Sequence, residues 1–149
     1  MVFEHNLLQN FEILSIRCPP AFTGRLCGNV AVGNTTVGSN CGTRALNATA
    51  NFKTVTAAVN GICYYVITGP ADTQISFEVT NLSITSPRYN EARCAFYYLE
   101  INYGSDFGLT GARFCNATLP TRTRSETNKL VLTYRGHPGS TFSMKYQYI

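Results

Sequence analysis

The side chains able to do covalent or coordination chemistry in this 149-residue chain are few, and cysteines dominate them. Cys18, Cys27, Cys41, Cys63, Cys94 and Cys115 form an even set with no Cys-x-x-Cys spacing. That pattern favours disulfide bonds over metal binding or thiol redox chemistry, although six cysteines alone leave the connectivity open. Asn34, Asn47, Asn81 and Asn116 each head an Asn-x-Ser/Thr triplet without proline in the middle, so each can accept an N-linked glycan in the secretory pathway. Cysteines and sequons together point to an oxidising, extracellular setting.

Catalytic constellations are thin. His5 and His137 are the only histidines, Asp72 and Asp106 the only aspartates, and no Gly-x-Ser-x-Gly nucleophile motif occurs. His137, between Gly136 and Pro138, reads as a turn residue. A glycosidase-like carboxylate pair would have to come from Glu78, Glu100 and Asp106, but Glu78 and Glu100 fall on strand positions facing away from a core. With the cysteines committed to disulfides, no thiol remains for nucleophilic or metal chemistry. The sequence therefore implies no enzyme.

The elements that must position these residues are strands. Only 13% of residues are charged, while Thr, Asn, Gly, Tyr and Phe are plentiful. Tyr65 and Ile67 alternate with their neighbours, as do Ile75, Phe77 and Val79, then Leu99, Ile101 and Tyr103, then Leu130, Leu132 and Tyr134. Phe142, Met144, Tyr146 and Tyr148 complete the series, and each set should line one face of a strand and point into a shared core. Gly69-Pro70, Ser86-Pro87, Leu119-Pro120 and the Gly136–Gly139 turn separate the runs. This predicts an all-β, antiparallel two-sheet sandwich.

Upstream, Met1–Leu14 is the one helical candidate, and Met1–Ile16 makes a poor secretory signal because Glu4 and His5 sit where basic residues belong. We expect either a signal lost ahead of an added Met1 or a segment of a longer extracellular chain. Gly28–Gly38 reads as a linker, which places a boundary near residue 40. The formal net charge is +4 from scattered residues, without the basic run expected of a nucleic-acid binder. No stretch approaches the roughly 20 apolar residues of a membrane span, so a soluble domain is expected.

From Cys41 to Ile149 the order of features resembles a CUB domain. Cys41-Gly42 and the strand Cys63-Tyr-Tyr65-Val-Ile67 match its first two cysteines, followed by Gly69-Pro70 and by Ile75-Ser-Phe77-Glu-Val79. Cys94-Ala-Phe-Tyr97-Tyr98-Leu99-Glu-Ile101-Asn-Tyr-Gly104 matches the third-cysteine motif at all but one position. Phe114-Cys115, the alternating segment Asn128–Tyr134 and Phe142-Ser-Met-Lys-Tyr146 follow in order. The resemblance implies a jelly-roll-like sandwich with bridges Cys41–Cys63 and Cys94–Cys115. The Ser-Pro-Asn-Tyr-Pro signature after the first cysteine is absent. Many CUB domains bind Ca²⁺ through a Glu, an Asp in the third-cysteine motif and an Asp before the last strand. Here the motif Asp is Tyr97 and the loop Arg135-Gly-His137-Pro-Gly carries no carboxylate. A hard cation needs six or more oxygen ligands, so no calcium site, and no other cofactor, is expected.

Cys18-Pro-Pro-Ala-Phe-Thr-Gly24-Arg-Leu-Cys27 resembles the final hairpin of an EGF-like domain, whose two cysteines are bonded to each other; this implies a Cys18–Cys27 bridge. The organisation expected is thus an N-terminal segment with hairpin and linker over 1–40, then a CUB-like domain over 41–149.

Two surfaces carry binding chemistry. Arg122, Arg124 and Lys129 lie close in sequence; a solvated polar loop is the simpler reading, a site for sulphated glycan the functional one. Tyr64, Tyr97 and Tyr98 lie off the main alternation or beside it, where an exposed aromatic patch would mark a protein or carbohydrate interface. The leading expectation is a secreted, glycosylated, non-catalytic module for extracellular protein recognition or adhesion. The alternatives are the targeting region of a secreted multidomain protease, and a self-associating subunit of an extracellular matrix or fibre.

Overall fold

The computed structural model describes residues 41–58, 60–85, 94–107, 109–115 and 121–149, together with the strand pairing of 22–23 and 29–30. The upstream pair is antiparallel: β1 (Phe22–Thr23) faces β2 (Asn29–Val30), with Phe22 opposite Val30. Cys18, Cys27, the helical candidate Met1–Leu14, most of the Gly28–Gly38 linker, and sequons Asn34 and Asn116 lie outside the described residues.

The rest forms two sheets packed face to face. The first has five strands in the order β3 (Ala45–Asn47), β5 (Gly61–Thr68), β10 (Lys129–Gly136), β7 (Tyr98–Asn102) and β8 (Ala112–Phe114). The second has four, ordered β4 (Lys53–Ala57), β11 (Thr141–Tyr148), β6 (Ile75–Ser83) and β9 (Thr123–Arg124). The all-β sandwich expected from the alternation is present. One pairing departs from a purely antiparallel plan: the edge strand β3 runs parallel to β5, with Val66 N–H donating to the Arg44 carbonyl at 2.8 Å. The Cys41–Cys63 disulfide and a 2.6 Å hydrogen bond from Tyr65 Oη to the Cys41 carbonyl fasten the start of this strand to β5. In the second sheet a bulge at Thr80 shifts the β6–β11 register between Asn81–Ser143 and Val79–Met144.

Alternation in sequence becomes burial between the sheets. Ile67, Ile75, Leu99, Ile101, Leu130, Leu132, Tyr134, Phe142 and Met144 are completely inaccessible, and Tyr65, Phe77 and Tyr146 nearly so. Aromatic rings bridge the layers: Phe142 lies 4.9 Å from Tyr134 and 6.1 Å from Tyr65, the latter edge-to-face. Tyr103 corrects one expectation. Its alternation with Ile101 put it in the core, yet it is partly exposed and only leans on Phe77 at 5.7 Å. β7 ends at Asn102, whose amide turns to donate to the Leu109 carbonyl at 2.9 Å and closes the following loop, so Tyr103 is no longer on a strand face.

Candidate functional site

With the inner faces filled by side chains, function has to be sought on the outer faces. Every second residue of each strand points there, and register decides which of them meet. On the five-stranded sheet, Val66 pairs with Val131, Tyr64 with Thr133, Thr133 with Glu100 and Glu100 with Arg113. Val66, Val131 and Phe107 form a small buried cluster on this side. Tyr64 and Tyr98, read from sequence as members of an exposed aromatic patch, are only 5% and 9% accessible. The Arg113 guanidinium lies 4.1 Å above the Tyr98 ring and donates to Glu100 Oε1 at 2.8 Å, covering part of the surface the ring would present. Burial raises the Tyr64 phenol above its ordinary pKa, with the neighbouring Tyr98 adding to the shift. These two tyrosines therefore do not form an open patch.

The third, Tyr97, stands apart from them. Its ring packs edge-to-face on His137 at 5.0 Å, which joins the third-cysteine motif to the loop before β11. Those are the two places where a calcium-binding CUB domain carries its aspartates, and here they hold two aromatic rings in mutual contact. Neither supplies an anionic oxygen, and among the described residues no group of three or more His, Cys, Asp or Glu is placed to hold a metal. At these two places Tyr97 and His137 do not fit calcium.

The four-stranded sheet presents different chemistry. Lys145 pairs with Glu78 and with Thr54, and Arg124 pairs with Ser76. Glu78 Oε2 accepts from Lys145 Nζ at 3.2 Å and lies 3.5 Å from Arg122 Nη2. Phe52, exposed just ahead of β4, has the Arg122 guanidinium at 5.1 Å and the Lys145 ammonium at 5.0 Å from its ring centre. Arg122 and Arg124 thus belong to one outer face, whereas Lys129 opens β10 in the other sheet, opposite Thr68. The cluster of Arg122, Arg124 and Lys129 read from sequence is divided between the sheets, and Lys145 takes the place given to Lys129. The signal for Lys145 was its position between Met144 and Tyr146 on an alternating strand; its pairing with Glu78 had no local signature.

Glu78 and Glu100 lie on the outer faces of different sheets, so they cannot flank one scissile bond. The second disulfide, Cys94–Cys115, ties the approach to β7 to the end of β8. Of the sequons, Asn81 is exposed on the four-stranded sheet and Asn47 on the edge strand β3. A groove of about 440 Å³ beside β7 is lined by Asn102, Tyr103, Asp106, Leu109 and Glu126, with Ser105 N–H donating to Glu126 Oε2 at 2.9 Å.

Comparison with known proteins agrees with this geometry. Residues 41–146 match the CUB domain family. The chain is 43% identical over 132 residues to a zinc metalloproteinase, nas-34, of Caenorhabditis elegans, covering 89% of this chain and 20% of that protein. A second from the same organism, zinc metalloproteinase nas-37, is 27% identical over 142 residues, covering 89% and 17%. The chain thus spans about a fifth of the length of these curated relatives. The first match is longer than Cys41–Ile149, so the likeness reaches into the first 40 residues. Among solved structures, the CUB1-EGF-CUB2 domains of rat MASP-1 superpose with a TM-score of 0.57 at 14% identity, over 72% of this chain and 40% of that one. That likeness speaks to the fold. Fold, family match and relatives agree, and the chain belongs to the CUB domain family.

Proposed function

We propose that the chain is an extracellular, non-catalytic recognition module that directs a secreted metalloproteinase to its substrates. The observation that carries this reading is the 43% identity to a zinc metalloproteinase of which the chain covers only 20%. Nothing in the described residues assembles a nucleophile, base and oxyanion site, which supports assigning catalysis to the remainder of such a protein. CUB domains bind proteins, and a β-sandwich offers flat outer faces for that purpose. In this reading Asn34, Asn47, Asn81 and Asn116 carry glycans, and Cys18 pairs with Cys27 in an EGF-like hairpin. The division at residue 40 separates that hairpin and its linker from the recognition domain. Fibre formation through strand edges gains little support, because the outermost strands β3, β4, β8 and β9 are two to five residues long.

The test is the full-length transcript and its product. Deleting 41–149 from the encoded protease should leave cleavage of a short soluble peptide unchanged and reduce cleavage of large extracellular protein. A transcript without a protease sinks the targeting role; equal losses on peptide and protein would sink the non-catalytic one.

A further inference from the structure

The cations on the outer face of the four-stranded sheet form a row. Register places Lys145, Glu78 and Arg122 across β11, β6 and the approach to β9, with Arg124 one step along. Among the described residues this row sets three cations against one carboxylate, Glu78, and Arg124 has no acidic partner. Thr54, Thr56 and Thr80 surround the row with exposed hydroxyls, and Phe52 adds one apolar ring at its end. We propose that this face binds a linear sulphated polysaccharide, with Arg122, Lys145 and Arg124 contacting sulphates and the hydroxyl-bearing residues contacting sugar. The proposal rests on the extracellular placement above but not on protease targeting.

The chemistry favours a polysaccharide over the other anionic partners. An extended polyanion matches cations spaced along a flat sheet, and guanidinium groups bind sulphate through paired N–H donors. A protein interface would be expected to contain a central cluster of apolar anchors, whereas among the described residues Phe52 is the one large exposed apolar residue beside the row. Membrane insertion is disfavoured for the same reason, since the Phe52 ring is bracketed by two cations. Asn81 shares the face but its amide donates to Thr141 Oγ1 at 3.2 Å, toward the start of β11. Asn81 itself lies opposite Ser143, roughly 7 Å along the strand from Lys145 at about 3.3 Å per residue, with its amide turned away from the row.

The test is binding of the purified chain to heparin, to desulphated heparin and to phosphatidylserine vesicles over a range of salt concentrations. Heparin should be retained and released by salt, while the desulphated polymer and the vesicles bind weakly. The double substitution Arg122→Gln, Arg124→Gln should weaken heparin binding about tenfold at physiological salt. Glu78→Gln should tighten it, because the carboxylate that competes for Arg122 and Lys145 is gone; this variant decides the matter if the double variant does not fold. Lys129→Gln, in the opposite sheet, should change nothing. Equal retention by desulphated polymer, stronger binding to vesicles, an unchanged double variant, weaker binding by Glu78→Gln, or a Lys129→Gln loss matching the double variant would each overturn the proposal. Any of these leaves protein recognition by other surfaces untouched.

Discussion

The two outer faces of the sandwich obey the same alternation but end in opposite chemistry. On the five-stranded sheet the outward side chains include Tyr64, Val66, Tyr98 and Val131, all buried, with Phe107 packed beside Val66 and Val131. On the four-stranded sheet the outward Thr54, Thr56, Ser143, Lys145 and Glu78 reach solvent, and Ser76 is the buried exception. One face adds to the stability of the fold, while the other is free to take a ligand at little cost to the scaffold. A fold of this kind therefore leaves one surface available for change.

The comparison is tested most strongly by substitutions at neighbouring positions. Leu132, inaccessible at the centre of β10, faces the shared core; Val131 faces outward beneath Phe107; Thr56 faces outward on the other sheet. Leu132→Ala should cost about 2–5 kcal/mol of unfolding free energy. Val131→Ala should cost about 1–2 kcal/mol, since burial at this outward position approaches that of the core. Thr56→Ala should stay within about 0.5 kcal/mol. Urea titration of the three variants gives the ranking, and a Val131→Ala value as small as that of Thr56→Ala would erase the distinction between the faces.

A smaller effect, read through pH, belongs to the core tyrosines. Burial pushes the Tyr134 phenol up to about 12. Ser140 opposes this, but its hydroxyl donates to the Thr85 carbonyl at 3.4 Å, and Tyr134 Oη is left buried without a partner. Burial also raises Tyr65 and Tyr146 above the ordinary value of 10. A phenol whose folded pKa exceeds its unfolded one contributes stability in full below about pH 10 and loses it as pH rises through about 12. For Tyr134 the loss amounts to about 2–3 kcal/mol. Tyr134→Phe should remove its share of the alkaline loss and, because it removes an unpaired hydroxyl, should not destabilise the protein near neutrality. Unfolding midpoints at pH 8 and pH 11 check both claims. An outward substitution such as Thr56→Ala should leave the pH profile unaltered.

How much of this was legible in the sequence follows from the range of the interactions. Ile75, Phe77 and Val79 announce their face by local alternation, and so do Leu130, Leu132 and Tyr134, because a strand exposes its pattern within a few residues. β3 (Ala-Leu-Asn) and β4 (Lys-Thr-Val-Thr-Ala) gave no such signal: each carries a single large apolar residue, Leu46 or Val55, and partners from distant strands hold them in place. Tyr64 was correctly read as lying off the core alternation, but its burial comes from lateral cover that no period reveals. Lys129 and Lys145 show the same limit from another side. Nearness to Arg122 in sequence favoured Lys129, whereas cross-strand register through Glu78 selects Lys145.

The smallest expected difference concerns the ion pairs of the two faces. Glu100 is shielded, with 18% of its side chain accessible, and meets Arg113 at 2.8 Å while the same guanidinium covers Tyr98. Glu78 is nearly twice as accessible at 34% and shares its oxygen between Lys145 and Arg122 at 3.2 and 3.5 Å. Shielding strengthens a charge pair, and a guanidinium lost from Tyr98 also uncovers apolar surface, so Arg113→Gln should cost about 1 kcal/mol. Glu78→Gln should cost roughly 0–0.5 kcal/mol, less than the scatter among most surface substitutions. Added salt should narrow the gap little, because the Arg113 contact is partly dispersive and cation–π in character. Parallel denaturation of both variants at low and high salt measures this. If Glu78→Gln proved the more costly, its carboxylate would be a structural fastening of β6 to β11, and the four-stranded face would have no more freedom to bind a ligand than the five-stranded one.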